Sequence, residues 1–315
     1  MKILQINAVY GQGSTGTIVR DIEYLCERSG IECYVASPDS RVRKAKRSYL
    51  IGNMFDHKLH AVLARINGKQ AYFSHISTRN LLRWMGEIKP DIVHLHNLHS
   101  NYIHLNMLLD YLAKTDIRTI ITFHDCWYFT GGCFHFVSTG CIKWQVSCGK
   151  CPRKKQDTTS YFLDCSSRIL ADRRRYLNAI PRLNIIGVSE WVANECRKSV
   201  LSGCKIDYIH NGFNLDIFKP TPSNLRKQYE LEGKYVLLAP ASKWYAAVNK
   251  TTFDYFVSYM QDDMVLVLFG CTNFRNDLPS NVKEIGYIRN PKEMAALYSM
   301  ADIFVNCTRE DTLPG

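Results

Sequence analysis

Two polar, titratable side chains stand at the end of an apolar run in the middle of this sequence. Thr119–Phe123 is predicted as a buried strand, and His124 and Asp125 follow it directly. In an open parallel sheet, ligands bind just outside the carboxyl ends of the strands. A histidine there can hydrogen-bond a hydroxyl group or stabilise charge. The alternative is a structural histidine whose hydrogen bonds are satisfied by the backbone.

Four cysteines follow in a long segment without clear periodicity. They are Cys133, Cys141, Cys148 and Cys151, with the spacing C-x7-C-x6-C-x2-C. The final C-x2-C is a good zinc half-site, because both thiolates can reach one tetrahedral ion. A structural zinc ion would keep a loop without its own core ordered, and Cys126 and His135 are reserve ligands. Catalytic zinc is not expected, since four thiolates leave no open position; the alternative is free thiols packed among aromatic side chains.

Two further groups could do chemistry. Glycines at positions 11, 13 and 16 follow the first predicted strand and open a helix. Backbone amides at a helix N-terminus suit a phosphate, although a tight strand-to-helix turn needs glycine in any case. His94, His96 and His99 resemble a metal cluster, but the polar end of a buried strand is the favoured interpretation.

The elements around these residues alternate between apolar runs and helical periodicity, which predicts an α/β fold with parallel sheets. A first series occupies residues 1–200, and a second, which begins near Ile206, occupies residues 201–315. The predicted strands are Lys2–Asn7, Glu32–Ala36, Pro90–His96, Ile117–Phe123, Asn184–Val188, Asp207–His210, Tyr235–Ala239, Val265–Phe269, Val282–Ile285 and Ile303–Asn306. Ser189 is predicted to cap the helix that follows it.

Composition limits the classes of protein. The 315 residues are enough for two cores, and no apolar run reaches the ~20 residues of a membrane span. The N-terminus does not have the pattern of a signal peptide, so a cytoplasmic location is expected, with the 12 cysteines as thiols or metal ligands. The formal charge of +11 favours an acidic partner: nucleic acid, an anionic membrane face or a phosphorylated substrate. Basic stretches lie at Arg41–Arg47 and Arg168–Arg175.

Six motifs together resemble glycosyltransferase family 4, and in particular its bacterial exopolysaccharide and capsule enzymes. In chain order they are Gly11–Gly16, Asp91–His96, His124–Trp127, Asn211–Pro220, Ala301–Asn306 and Glu310–Asp311. The resemblance covers essentially the whole chain. It implies the GT-B architecture, with two facing Rossmann-like domains. Because family members continue beyond this point, a truncated second domain is expected.

The resemblance also implies roles for individual residues. Gly13, Ser14, Thr15 and Gly16 would approach the donor diphosphate, and His124 would lie near the transferred sugar. Lys243 and Lys250 stand where the family carries an arginine and then a lysine that neutralise the leaving diphosphate; lysine lacks the bidentate grip of arginine. Glu310 and Asp311 begin the paired-glutamate motif, whose second glutamate would lie beyond Gly315. The expected catalytic residues are His124, Lys250 and Asp311.

The implied reaction is retaining transfer from a nucleotide-diphosphate-sugar to a glycan or a polyprenyl-diphosphate-linked acceptor, without a catalytic cofactor. The acceptor would lie at the inner membrane face, where basic patches would suit anionic lipid. One rival is a non-catalytic binder of a sugar or lipid diphosphate. Another is a zinc-dependent nucleic-acid-binding protein, which is disfavoured because no recognition helix follows the cysteines. No nucleic-acid partner is therefore expected.

Overall fold

The computed structural model of the chain describes residues 1–275, 277–308 and 310–313. They form two compact units. The first comprises the described residues of Met1–Asn211 and Glu310–Gly315, and the second those of Gly212–Arg309. The predicted boundary at residue 200 thus moves to Asn211, and residues 310–313 belong with the first unit.

Within the described residues, the first unit is built on seven strands in the order β3-β2-β1-β4-β5-β6-β7, all parallel. They are β1 (Lys2–Ile6), β2 (Glu32–Ser37), β3 (Ser48–Leu50), β4 (Ile92–Leu95), β5 (Arg118–Phe123), β6 (Leu183–Gly187) and β7 (Lys205–Tyr208). The strand β7 pairs with β6. This pairing is why the boundary moves: the strand expected to open the second series closes the first sheet.

Helices connect these strands, as parallel pairing requires. They are α1 (Gly13–Arg28), α2 (Met54–Asn67), α3 (His75–Ile88), α4 (Leu105–Ala113), α5 (Ser166–Leu177) and α6 (Glu190–Arg197). The predicted cap of α6 is confirmed, because Ser189 Oγ accepts a hydrogen bond from Val192 N at 3.3 Å. Strand β3 was not predicted, since three residues carry too little pattern to recognise.

The central strands are buried on both sides, as expected of a parallel sheet covered by helices. On β1 and β2, Leu4 and Ile6 lie on one face and Gln5, Cys33 and Val35 on the other, and all five have no exposed surface. The chain order of the strands reverses between β1 and β4, which are neighbours in the sheet. A crevice outside the carboxyl ends of the strands at such a reversal is the usual ligand site of an open α/β sheet.

The second unit has a four-stranded parallel sheet of order β10-β9-β8-β11 within its described residues. Its elements are α7 (Leu225–Gln228), β8 (Tyr235–Pro240), α8 (Ala241–Ala247), α9 (Lys250–Ser258), β9 (Met264–Cys271), β10 (Val282–Gly286), α10 (Pro291–Met300) and β11 (Ile303–Phe304). Alternate residues of β8 enter two different apolar clusters: Val236 and Leu238 one, Leu237 and Ala239 the other. Both faces of this sheet are therefore packed. No helix among the described residues is long and apolar enough to cross a membrane.

Candidate active site

The carboxyl ends of β1, β4 and β5 bring buried polar side chains together. Gln5 lies on β1, His96 directly follows β4, and His124 directly follows β5. His96 Nδ1 lies 3.2 Å from His124 Nε2, and His96 Nε2 lies 3.3 Å from Gln5 Oε1. The three side chains form one hydrogen-bonded row, of which Gln5 and His96 are fully buried.

A second pair of histidine contacts runs along β4. His94 Nε2 lies 2.8 Å from Thr122 Oγ1 on β5, and the rings of His94 and His96 are 4.1 Å apart. The two histidines share one face of the strand, as their alternation indicates. Across the described residues, no three histidine, cysteine, aspartate or glutamate side chains are placed to hold one metal ion. The preferred interpretation, a buried strand with polar residues, therefore fits the structure better than a metal cluster does.

Burial keeps these histidines neutral at pH 7. Loss of solvation lowers the pKa of His94 and of His124 to about 4, and that of His96 well below its ordinary value. Neighbouring histidines lower these pKa values further: His124 lowers that of His94, and His94 and His124 lower that of His96. The pKa of His124 is raised by Asp125 and lowered by His99. A neutral imidazole has one donor nitrogen and one acceptor nitrogen.

We expect the first unit to lose stability as the pH falls from about 6.5 towards 4. The unfolded chain protonates His94 and His124 near pH 6.5, whereas the folded chain does so only near pH 4. Because the unfolded state binds more protons in this window, the free energy of unfolding falls with the pH, by about 3 kcal/mol for each histidine at pH 4. Urea unfolding between pH 7 and 4 measures this slope. A His94→Asn variant should flatten it; an equal slope in that variant would contradict the assignment.

Asp125 and His99 flank His124. Asp125 Oδ1 accepts a hydrogen bond from Trp127 N at 2.8 Å, and Asp125 Oδ2 lies 3.3 Å from His99 Nε2. Burial would raise the pKa of Asp125, but His99 and the Trp127 backbone amide outweigh burial and lower it. Asp125 therefore stays ionised and fixes the turn that begins directly after His124.

The segment after Arg309 lies against the same strand end. Thr312 Oγ1 donates to the backbone carbonyl of His124 at 2.6 Å, and Ser189 Oγ donates to the Thr312 carbonyl at 2.6 Å. Glu310 accepts from Ser138 N at 2.8 Å and pairs with Arg153 at 3.0 Å. The expected paired-glutamate motif was assigned to the second domain; in the structure Glu310 and Asp311 belong to the first unit.

The glycine loop has the geometry of an open helix N-terminus. Gly11 and Gly13 both have positive φ, at 65° and 64°. A Cβ on Gly16 would lie 3.2 Å from Gly11 N, so this close approach of the backbone favours glycine. The cap residue Gln12 makes no side-chain hydrogen bond to the helix. The turn thus needs glycine for its own backbone and also presents the amides of Gly13, Ser14 and Thr15, so both predicted interpretations fit it.

In the second unit, Lys243 and Lys250 are exposed and lie on different helices. Lys243 is on α8, which begins directly after β8, and Lys250 is the first residue of α9. Residues 241–247 form a short helix. Asn249 caps α9 by accepting from Thr252 N at 2.8 Å. The two lysines are thus fixed on short helices at the carboxyl-end side of β8.

The four cysteines of the irregular segment surround one small cavity of about 20 Å³. It is lined by Cys133, Cys141, Cys148 and Cys151 together with Gly131, Lys143, Trp144, Gly149, Pro152 and Ser166. All four are free thiols. Neither reserve ligand, Cys126 or His135, is among the described residues lining this cavity. The fold therefore brings together the four cysteines that their spacing singled out, although not as a ready metal site.

A much larger cavity, of about 780 Å³, lies beside α5. Its lining includes Arg174, Arg175, Ser147 and Asn178, and none of the predicted site residues. Arg173, in contrast, points inward: it is buried over the Trp127 ring, and its guanidinium donates to the carbonyls of Trp127 and Thr130. The basic stretch of α5 is therefore not a uniform surface patch, because its middle arginine belongs to the core.

Gln5 and Arg153 were missed by reasoning from the sequence. A lone glutamine inside an otherwise apolar strand, in the run Lys2–Ile6, was a usable signal for Gln5. Arg153 carries no local signal, since its partner Glu310 is 157 residues away.

Comparisons with known proteins agree with this architecture. No curated protein sequence matches the chain. Anabaena HepE, solved with UDP-glucose, is similar in structure with a TM-score of 0.57 and 14% identity, over 100% of this chain and 76% of HepE. WaaG, a glycosyltransferase involved in lipopolysaccharide biosynthesis, has a TM-score of 0.53 and 12% identity, over 98% of this chain and 76% of WaaG. The trehalose 6-phosphate synthase of Burkholderia multivorans has a TM-score of 0.59 and 8% identity, over 99% of this chain and 77% of the synthase.

At these identities the likeness shows the fold alone, which is the GT-B type with two Rossmann-like units, as predicted. The family follows from the sequence itself: the model of Glycosyltransferase Family 4 matches residues 16–217, which is more than half of the chain. That match includes the strand ends that carry His96 and His124. This chain therefore belongs to glycosyltransferase family 4.

Proposed function

We propose that this glycosyltransferase moves a sugar, with retention, from a nucleotide-diphosphate-sugar to a hydroxyl of a glycan or lipid-linked acceptor in surface polysaccharide synthesis. The observation that carries the proposal is His124 at the carboxyl end of β5, beside the reversal of strand order, in a chain of this family. HepE was solved with UDP-glucose, which supports a nucleotide-sugar donor. The involvement of WaaG in lipopolysaccharide biosynthesis supports a surface polysaccharide as the product.

Each proposed residue has a chemical task. The amides of Gly13, Ser14 and Thr15 would receive a diphosphate oxygen. Lys243 and Lys250 would neutralise the charge that develops as the diphosphate leaves, which is the main way such transfers are accelerated. The segment of Glu310 and Asp311 would supply the carboxylate near the donor sugar, and Asp311 is the one proposed as catalytic.

Turnover of a panel of nucleotide sugars by the full-length protein tests this function. Release of nucleoside diphosphate in the presence of a sugar acceptor supports it, and the anomeric configuration of the product decides retention. Binding of a nucleotide sugar without turnover would instead favour the alternative, a non-catalytic sugar or lipid-diphosphate binder. If the protein neither binds nor turns over any donor, the assignment is overturned.

We place the enzyme in the cytoplasm, with peripheral attachment to the anionic inner membrane face as part of the proposal. The basic stretch Arg41–Arg47 is partly neutralised within the protein, since Arg41 pairs with Asp39 and both Lys46 and Arg47 pair with Glu27. Arg43 and Lys44 are exposed and would make the lipid contact. Co-sedimentation with anionic but not zwitterionic vesicles is the expected result, and equal binding to both would argue against it.

A structural zinc ion on Cys133, Cys141, Cys148 and Cys151 is also proposed. The support is that the four thiols line one cavity, and binding would require them to close on the ion, because no three are placed for it as they stand. We expect about one zinc per chain in purified protein, with tetrahedral thiolate ligation. Cys148→Ser should lower the zinc content, whereas Cys204→Ser, outside the segment, should not. A folded protein that contains no zinc and has four reactive thiols would contradict the proposal.

A further inference from the structure

The row of Gln5, His96 and His124 determines which ring nitrogen of His124 carries hydrogen. The starting point is the amide of Gln5. Its Nε2 donates to the backbone carbonyl of Val19 at 3.0 Å and to Cys33 Sγ at 3.3 Å. A carbonyl oxygen only accepts, so the opposite orientation of the amide would set two oxygens against each other. Gln5 Oε1 must therefore be the atom that faces His96.

The second step fixes His96. Its Nε2 lies 3.3 Å from Gln5 Oε1, which can only accept, so Nε2 carries the hydrogen. His96 is fully buried and neutral, which leaves Nδ1 as an acceptor. The residue is also held by its backbone: His96 N donates to Ile6 O at 3.0 Å, and Tyr128 Oη donates to His96 O at 2.6 Å.

The third step reaches His124. His96 Nδ1 accepts, so His124 Nε2, at 3.2 Å from it, must be the donor. The remaining nitrogen of a neutral His124, Nδ1, then has no hydrogen and acts as an acceptor. An acceptor at this position would bind a hydroxyl group, which can donate. It would not bind a phosphate oxygen without a proton.

We propose that Gln5 and His96 are positioning residues that hold His124 with hydrogen on Nε2, so that His124 Nδ1 accepts a hydrogen bond from a hydroxyl of the donor sugar. The hydroxyl partner rests on the proposed function above. The tautomer does not, because it follows from contacts inside the first unit. In this proposal His124 binds the sugar part of the donor, and groups other than His124 bind the diphosphate.

Nitrogen-15 NMR of the full-length protein with labelled histidine tests the tautomer directly, because protonated and bare ring nitrogens have different shifts. The expected spectrum at pH 7 shows His96 and His124 each with hydrogen on Nε2 only; the signals are assigned by their loss in His96→Asn and His124→Asn. Hydrogen on Nδ1 of His124 in the unmodified protein would overturn the proposal, whether or not any variant folds.

Two replacements of His96 separate positioning from a general structural role. In His96→Asn an amide oxygen can still accept from His124 Nε2, so the His124 tautomer should persist and kcat/KM should stay near that of the unmodified protein. In His96→Leu the acceptor is lost, His124 should show both tautomers, and kcat/KM should fall about tenfold. Thr119→Val, which alters another buried polar side chain of the same sheet, is the matched control and should change neither readout.

The outcomes distinguish this proposal from the proposed function. If no nucleotide sugar is turned over, the proposed function is wrong, but the NMR spectra still determine the tautomer of His124. If His124 keeps one tautomer in His96→Leu, or if His96→Asn loses as much kcat/KM as His96→Leu, the positioning role of His96 is overturned even where the enzyme is active.

Discussion

Replacing His124 with alanine is expected to lower kcat/KM for nucleotide-sugar turnover by about 10²-fold. The side chain ends β5, and its ring is oriented by His96. Alanine removes the hydrogen bond to the sugar hydroxyl and leaves His96 Nδ1 without its donor. The measurement is steady-state turnover, with circular dichroism to confirm that the variant is folded. The control is His75→Ala, which removes an exposed histidine of the same unit and should leave turnover unchanged.

The choice of replacement sharpens this test. Asparagine places an oxygen about where Nδ1 stands, and glutamine places one about where Nε2 stands. Because Nδ1 is the proposed acceptor for the sugar hydroxyl, His124→Asn should retain more activity than His124→Gln. Equal loss in the two variants would contradict the role of Nδ1, and full activity in His124→Ala would remove His124 from the site altogether.

Replacing Arg173 with leucine is expected to lower the free energy of unfolding of the first unit by about 3 kcal/mol. Arg173 is buried, and burial lowers its pKa to about 10, so it remains charged at pH 7. Its guanidinium lies 3.8 Å from the centre of the Trp127 ring and donates to Thr130 O at 2.6 Å and to Trp127 O. Leucine removes the guanidinium donor from both buried carbonyls, although Trp127 O also accepts from the Thr130 hydroxyl at 3.5 Å.

Chemical denaturation followed by tryptophan fluorescence measures this loss. Arg174→Leu is the matched control, because Arg174 is the next residue of α5 and is exposed; its change should stay below about 0.5 kcal/mol. If the two variants lose the same stability, the buried hydrogen bonds of Arg173 contribute nothing specific. The turn that follows His124 would then be held by other contacts.

Much of the fold could be predicted from local pattern. The strand predicted at Tyr235–Ala239 is β8 (Tyr235–Pro240) in the structure, and the strand predicted at Val282–Ile285 is β10 (Val282–Gly286), so each prediction is right to within one residue. The short strand β3 and the helix α8 could not be predicted, because three or seven residues hold too little periodicity to distinguish a strand or helix from a loop. The predicted boundary between the two units lies too early for another reason. The pattern of β7 indicates a strand but does not show that it pairs with β6 in the first sheet.

Parts of the candidate site show the same division. The position of His124 and Asp125 after an apolar run gave their place at a strand end, because local sequence limits a strand. From their spacing, Cys133 and Cys151 were expected either to share a zinc site or to be free thiols packed among aromatic side chains. The spacing alone could not decide that they line one cavity. The pairing of Glu310 with Arg153 could not be expected at all, since it joins residues far apart in the chain.

By itself, then, the sequence determined the α/β class, the family and the strand end at which His124 stands, because periodicity and short motifs are local properties. Only the tertiary structure decided that Gln5 contacts His96 across 91 residues, that Arg173 is core while Arg174 is surface, and that Glu310 joins the first unit. The physical reason is that strand order and register choose which distant polar groups meet, and a buried polar group must find a partner wherever the fold places one.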